Sequence, residues 1–288
     1  MKTYLFVNPS SGHYSAQLLQ QVLESLHTYD VHPEMFQVRT PAEISTYCIS
    51  INKCNEPNLV IVAGGDGTIN AVVNGLEPGK STLAVLPFGT SNVLAAELGI
   101  TSIDDALTRI TVGKTKSLSL GVIEVEGRSY RFILMAGIGL DGVVVRDVWS
   151  LGKKHLRQGA YALSALKSAV AWDSSTFDIT TPEGDVTCHS VIVCNASRYG
   201  GNFVLEPGSS LFTEGLTAIC VTNNQRRTYM RIAAELFSGT KQQSASLIRL
   251  PAATIEIGGT KAIQIDGDFI GHGPARISTL PDFAQIIT

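Results

Sequence analysis

Four short apolar runs in the first hundred residues, TYLFV, EMFQV, NLVIV and TLAVLPF, each give way to a polar turn and then to a helical stretch. The first is followed by Leu18, Leu19, Val22 and Leu26 at helical spacing. The second leads into a helix from about Pro41 that carries Ile44, Tyr47, Cys48 and Ile51. The third passes through a glycine loop into TINAVVNGL, and the fourth passes through GTSN into VLAAELGI. Strand and helix in strict alternation predict a parallel sheet flanked by helices. In open sheets of that kind ligands bind beyond the carboxyl ends of the strands. Three of these ends carry polar, glycine-bearing loops: NPSSG, GGDGT and GTSN. Three such loops on one sheet edge make a site where one would not.

The texture changes after about residue 120. SLSLGVIEVEG, SYRFILMAGIG, TFDITTPEG, TCHSVIVCNAS, GLTAICVTN and ATIEIGGTKAIQIDGD are strand-length segments split by Gly, Pro and Asn turns. That pattern predicts an antiparallel sandwich, interrupted by one helical stretch, RQGAYALSALKSAV. The expected architecture is a three-layer α/β nucleotide-binding domain over residues 1–119, then a β-sandwich over 120–275. Residues 276–288 read as a terminal strand that returns to the first domain.

With 44% hydrophobic and 16% charged residues in 288, the chain is ordinary globular material. A formal charge of −3 argues against a nucleic-acid binder, whose footprint is basic. Cys48, Cys54, Cys188, Cys194 and Cys220 are odd in number and form no CxxC pair, so they read as reduced apolar filler in a cytoplasmic protein. MKTYLFVNPSSG has too short an apolar stretch for a signal peptide, and no run approaches the roughly 20 residues of a spanning helix. Any membrane contact is then peripheral. Two basic stretches, RDVWSLGKKHLRQGAY and NNQRRTYMRIAAELF, mix cations with bulky apolar residues, as suits an anionic membrane surface or, slightly better, a solvated helix face. The six histidines show no ligand spacing.

A glycine-rich turn from strand to helix aims backbone N–H groups into one hollow, and the helix start adds the positive end of its dipole. Phosphates suit such a hollow. The GGDGT loop is neither a Walker loop, since GxxxxGK[ST] is missing, nor the dinucleotide fingerprint, since GxGxxG is not found there. Without a P-loop lysine the site needs other charge neutralisation. Asp66 fits the holding of a divalent cation, directly or through water. The alternative is that Asp66 only caps the helix that starts near Thr68–Ile69.

Nearly the whole chain resembles the diacylglycerol kinase catalytic-domain family, which includes bacterial lipid kinases and sphingosine kinases. The resemblance is carried by VNPSSG, VAGGDGTINAVVNGL, LPFGTSNVLAAELGI, MAGIGLDGVVV, NASRYGGNFVLEPGSSLFTEGL and IQIDGD, in the family's order. It implies an ATP-dependent, magnesium-using lipid kinase that transfers the γ-phosphoryl group to a lipid hydroxyl. Gly64, Gly65, Asp66, Gly67, Thr68, Ile69, Asn70 and Thr90 would then line the ATP phosphates, with Thr40 as a further nucleotide contact. Asp266 would be the general base. The metal motif falls on LFTEGL, as the backbone carbonyls of Leu211 and Leu216 and the carboxylate of Glu214, where the family usually has Asp. The second loop reads Asn92-Val93 where Asn-Asp is usual, and Asp268 stands where Glu is common. On its own, IDGD reads as a hairpin turn. Two rivals are an NAD kinase, whose Thr-Pro-Thr-Gly-Ser segment is missing here, and a catalytically silent lipid- or nucleotide-binding regulator.

Overall fold

In a computed structural model, residues 2–143, 173–199, 203–238 and 246–288 are described. The chain divides into two compact units. One is built from Met1–Ser119 with Pro281–Thr288, the other from Leu120–Tyr199 with Phe203–Leu280.

The first unit begins with β1 (Lys2–Val7), α1 (Ala16–Thr28), β2 (Glu34–Gln37), α2 (Pro41–Asn52), β3 (Asn58–Gly64), α3 (Asp66–Gly75) and β4 (Ser81–Pro87). The strands lie parallel in the order β2-β1-β3-β4. Every residue of β3 is buried, as an apolar run flanked by strands on both sides and helices on both faces must be. Sequence chemistry sets the helix starts. Ser15 accepts from the Leu18 amide to begin α1, and Thr40 with Glu43 forms a full capping box for α2, with Pro41 in the first turn. After β4 come α4 (Val93–Glu97) and α5 (Ile103–Val112). The second of these was not foreseen; Ser102 caps it and Ala106, Leu107 and Ile110 bury its inner stripe. The order turns back between β1 and β3, so the loops that leave these two strands flank the switch point where such sheets take ligands.

The second unit is antiparallel. β5 (Thr115–Val125) pairs with β6 (Arg128–Phe132), and β7 (Met135–Ile138) follows. Next come β8 (Phe177–Thr181), β9 (Gly184–Cys188), β10 (Ser190–Cys194) and the short pair β11 (Arg198–Tyr199) and β12 (Phe203–Val204). β13 (Leu216–Val221) precedes α6 (Arg226–Ser238). The chain ends with β14 (Leu247–Ala252), β15 (Thr254–Ile257), β16 (Ala262–Ile265), β17 (Asp268–His272) and β18 (Ala275–Ile287). One sheet runs β14-β13-β10-β7-β16-β17, and the facing strands include β15, β8 and β9. Ile123, Phe132, Ile138, Val193, Ile255 and Ile277 belong to one shared buried core, which makes this unit a sandwich. The last residues of β18 pair with β4 in parallel, Gln285 opposite Thr82. All five cysteines are free thiols, and four of them are buried. The segment RQGAYALSALKSAV and the first basic stretch lie outside the described residues.

Candidate active site

The three glycine-bearing loops of the first unit meet. Asn8, just past β1, donates from Nδ2 to Thr68 Oγ1 at 2.9 Å, and the His13 amide donates to the Phe88 carbonyl at 2.9 Å. A Cβ on Gly12 would overlap the Thr90 hydroxyl, and one on Gly89 would lie 2.5 Å from the Cα of Gly65. Glycine is needed where two backbones approach this closely.

α3 starts at this meeting point. Its N-cap residue, Gly65, has no side chain to satisfy the first turn. The Thr68 and Ile69 amides return to the Gly65 carbonyl at 2.9 and 3.1 Å. Those of Asp66 and Gly67 meet no acceptor among the described residues. Two open amides at the positive end of a ten-residue helix form an anion site in the general sense. Gly67 and Thr90 are exposed beside it, Gly65 and Asp66 are half-buried, and Gly64, Thr68, Ile69 and Asn70 form the buried wall behind.

Asp66 caps a helix, though not its own. Its Oδ2 accepts from the Val93 amide at 3.1 Å and its Oδ1 from the Leu94 amide at 3.0 Å. Those two residues open α4, whose N-cap residue Asn92 is left-handed (φ 47°) and makes no side-chain cap bond. The carboxylate of the first-loop aspartate therefore fixes the helix that leaves the second loop. Thr40 is exposed at the head of α2. Its Oγ1 accepts from the Glu43 amide at 3.3 Å, and Glu43 Oε2 accepts from the Arg39 and Thr40 amides at 2.6 and 3.2 Å. These two amides hold the Glu43 carboxyl below its ordinary value. No hydrogen bond joins Thr40 to the three loops among the described residues.

In the second unit, Ile265 pairs with Asp268, so Asp266-Gly267 is a two-residue turn with φ 45° and 88°. Asp-Gly is a favoured pair for this turn type. The hairpin reading of IDGD is therefore correct, and the aspartate has a second task as well. Its Oδ2 accepts from the Ile133 amide at 2.7 Å, and its Oδ1 from the Leu134 and Met135 amides at 2.9 and 3.0 Å. The Asp266 amide donates back to the Met135 carbonyl at 3.0 Å. Glu214 is exposed on the turn that precedes β13, between buried Leu211 and Leu216. Among the described residues no group of three or more His, Cys, Asp or Glu side chains is placed to hold a metal ion.

Comparison with known proteins identifies the lineage. Residues 2–123 match the family described as diacylglycerol kinase catalytic domain, and residues 135–288 match the YegS C-terminal NAD kinase beta sandwich-like domain. The chain belongs to the diacylglycerol kinase/YegS-like lipid kinase family. A diacylglycerol kinase of Bacillus subtilis (strain 168) is 28% identical over 96% of this chain and 92% of its own length. One from Mycobacterium tuberculosis (strain ATCC 25618 / H37Rv) is 26% identical over 79% and 76%. The crystal structure of a diacylglycerol kinase from Bacillus anthracis str. Sterne shares the fold with a TM-score of 0.72 at 20% identity, covering 99% of this chain and 96% of that one. The protein is thus a lipid-kinase-family enzyme.

One cluster of this lipid kinase lies outside the residues marked by its glycine loops and carboxylate motifs. Asp141 accepts from the Tyr199 hydroxyl at 2.5 Å on Oδ1 and from Gln264 Nε2 at 2.5 Å on Oδ2. Burial pushes the Asp141 carboxyl up, against the pull of the Tyr199 and Gln264 hydrogen bonds. The signal was in GIGLDG, residues 137–142, which has GxGxxG spacing between a strand and a helical turn. Its glycines do not open toward a phosphate. The space a Cβ on Gly137 would occupy is filled by the Asp141 carboxylate and Gln264 Nε2, and that of Gly142 by the Ala262 carbonyl. The spacing serves packing.

Proposed function

We propose that this kinase transfers the γ-phosphoryl group of ATP to the hydroxyl of a diacylglycerol-like lipid, with magnesium. The observation that carries the reading is the bare start of α3 set where three loops meet: open amides, a helix dipole and glycine-thin walls suit a polyphosphate. Gly65, Gly67 and Thr90 would contact the phosphates, with Thr40 a further nucleotide contact. Asp66 would keep the second loop in place and hold a divalent cation, directly or through water, against the phosphate charge. Asp266 would accept or orient the lipid hydroxyl proton.

Magnesium prefers hard oxygen donors, and the Glu214 carboxylate with the Leu211 and Leu216 carbonyls is such a set. When bound, the ion would offset phosphate charge. Glu214 is exposed and makes no hydrogen bond or ion pair among the described residues, so its oxygens are available. Glu214→Ala is expected to shift the magnesium titration of activity to higher concentration by about tenfold, a loss of roughly 1.4 kcal/mol at that site. Superimposable titrations of parent and variant would remove Glu214 from the metal.

No helix among the described residues is long and apolar enough to cross a membrane. Peripheral contact through α6 fits its composition: Arg226, Arg227 and Arg231 flank Met230, whose side chain is 74% exposed. Arg227→Glu combined with Met230→Asp is expected to cut co-sedimentation with phosphatidylserine vesicles several-fold, since each juxtamembrane cation contributes about 1 kcal/mol. Unchanged sedimentation would exclude this helix as the contact.

The central test is transfer of label from γ-labelled ATP to a panel of lipid hydroxyls in mixed micelles, with and without magnesium. Incorporation into diacylglycerol is the expected result. Label appearing in NAD, and in no lipid, would overturn the proposal.

A further inference from the structure

The turn that carries Asp266 is held in place from its other side by a chain of hydrogen bonds through Gln264, Asp141 and Tyr199. Gln264 is 2% exposed and sits one residue before Ile265, at the irregularity between Ile263 and Gln264 in the β16–β17 pairing. Its Nε2 donates to Asp141 Oδ2 at 2.5 Å, and its Oε1 accepts from the Gly267 amide at 2.8 Å. Asp141 is in turn gripped by the Tyr199 hydroxyl. Gln264 also stands opposite Gly137 in the β16–β7 register, and the absent side chain there leaves the room in which Asp141 and Gln264 meet.

The donors and acceptors fix direction. The Gly267 amide can only donate, so it takes the Gln264 oxygen, and the Gln264 amide nitrogen then faces Asp141 Oδ2, which accepts from it. Gly267 is the second residue of the turn, and its φ of 88° is coupled to the left-handed setting of Asp266. A flipped Gln264 would aim N–H at N–H and leave the Gly267 amide without its acceptor, a loss of the costly kind in a buried site.

We propose that Asp141 is a positioning residue: through Gln264 and the Gly267 amide it sets the turn from which Asp266 faces the lipid hydroxyl. This deepens the kinase reading and rests on it for the role of Asp266, while the bridge itself can be observed without activity.

The experiment exchanges the charge across the bridge. Gln264→Glu puts two carboxylates at the 2.5 Å contact, and such a pair cannot ionise fully. This variant is expected to bridge through a shared proton at low pH and to lose kcat as pH rises, by about 10- to 100-fold, the scale of a misplaced catalytic group. KM for ATP should stay at the parental value. Adding Asp141→Asn restores one donor and one acceptor at that contact, and the pH–rate profile should return to the parental form. Amide hydrogen exchange at Gly267 is followed in parallel: fast in Gln264→Glu at high pH, protected again in the double variant. If Gln264→Glu does not fold, Gln264→Met, which removes both bonds without adding charge, must show the same kcat loss and fast Gly267 exchange. A parental pH–rate profile in Gln264→Glu, or a double variant no better than the single one, overturns the proposal. Should the parent phosphorylate no lipid, the kinase reading falls, and Gly267 exchange alone decides: unaltered protection in both Gln264 variants sinks the bridge.

Discussion

Asp66→Asn is expected to reduce phosphoryl transfer by about 100-fold or more, with a smaller fall in melting temperature than Asp66→Ala. Asn keeps an acceptor for one of the two amides at the start of α4, turns its Nδ2 toward the other and removes the charge. Asp66 would act on the phosphates through a divalent cation; such an ion stabilises a transferring phosphoryl group by several kcal/mol, and each 1.36 kcal/mol is tenfold in rate. Asp66→Ala removes charge and both acceptors together, so it should show the same rate loss and lose about 1.5–3 kcal/mol of stability, the range for hydrogen bonds to a charged group. Thermal melts and initial rates on the three proteins separate the two contributions. If Asp66→Asn retains parental activity, the carboxylate is a cap for the second loop and nothing more.

Asp266→Asn is expected to lower kcat by about 10²–10⁴-fold, the usual worth of general-base catalysis, with ATP affinity unchanged by calorimetry. The substitution suits the backbone, because Asn tolerates the left-handed φ of 45° better than most residues. It suits the side-chain partners less well. Three amides, those of Ile133, Leu134 and Met135, point at the carboxylate, and an Asn Nδ2 would oppose one of them. A stability loss of about 1–3 kcal/mol should therefore accompany the rate loss. Rates are best compared at a temperature where both proteins are fully folded. Asp268→Asn serves as control, because Asp268 stands on β17 beyond the turn, opposite Ile265, and its rate should fall much less. Retention of most activity by Asp266→Asn would assign the residue to the turn alone and place the proton acceptor elsewhere.

The alternation of apolar runs with helical spacing determined the parallel sheet of the first unit, because each element there is decided by its own local pattern. β3 is an unbroken apolar run, α1 has a buried stripe at Leu19, Val22 and Leu26, and α2 has Thr40, Pro41 and Glu43 at its start. The glycine and asparagine turns of the later segments determined the antiparallel sandwich in the same way. The loops that meet around α3 were legible as candidates, since all leave strands at one sheet edge. What the side chains do there was not legible. That Asp66 spans 27 residues to cap α4, and that Asp266 spans more than 130 to bind three amides, depends on which backbone donors the fold brings within 3.1 Å. The sequence displays an aspartate between glycines in both places. Only the tertiary structure supplies the unsatisfied amides, because orphan donors arise where a helix starts or a strand is entered, and their partners can come from any distance along the chain. The Asp141–Gln264 contact belongs to the same class: Gly137 is a small residue in a strand until the register sets it opposite Gln264.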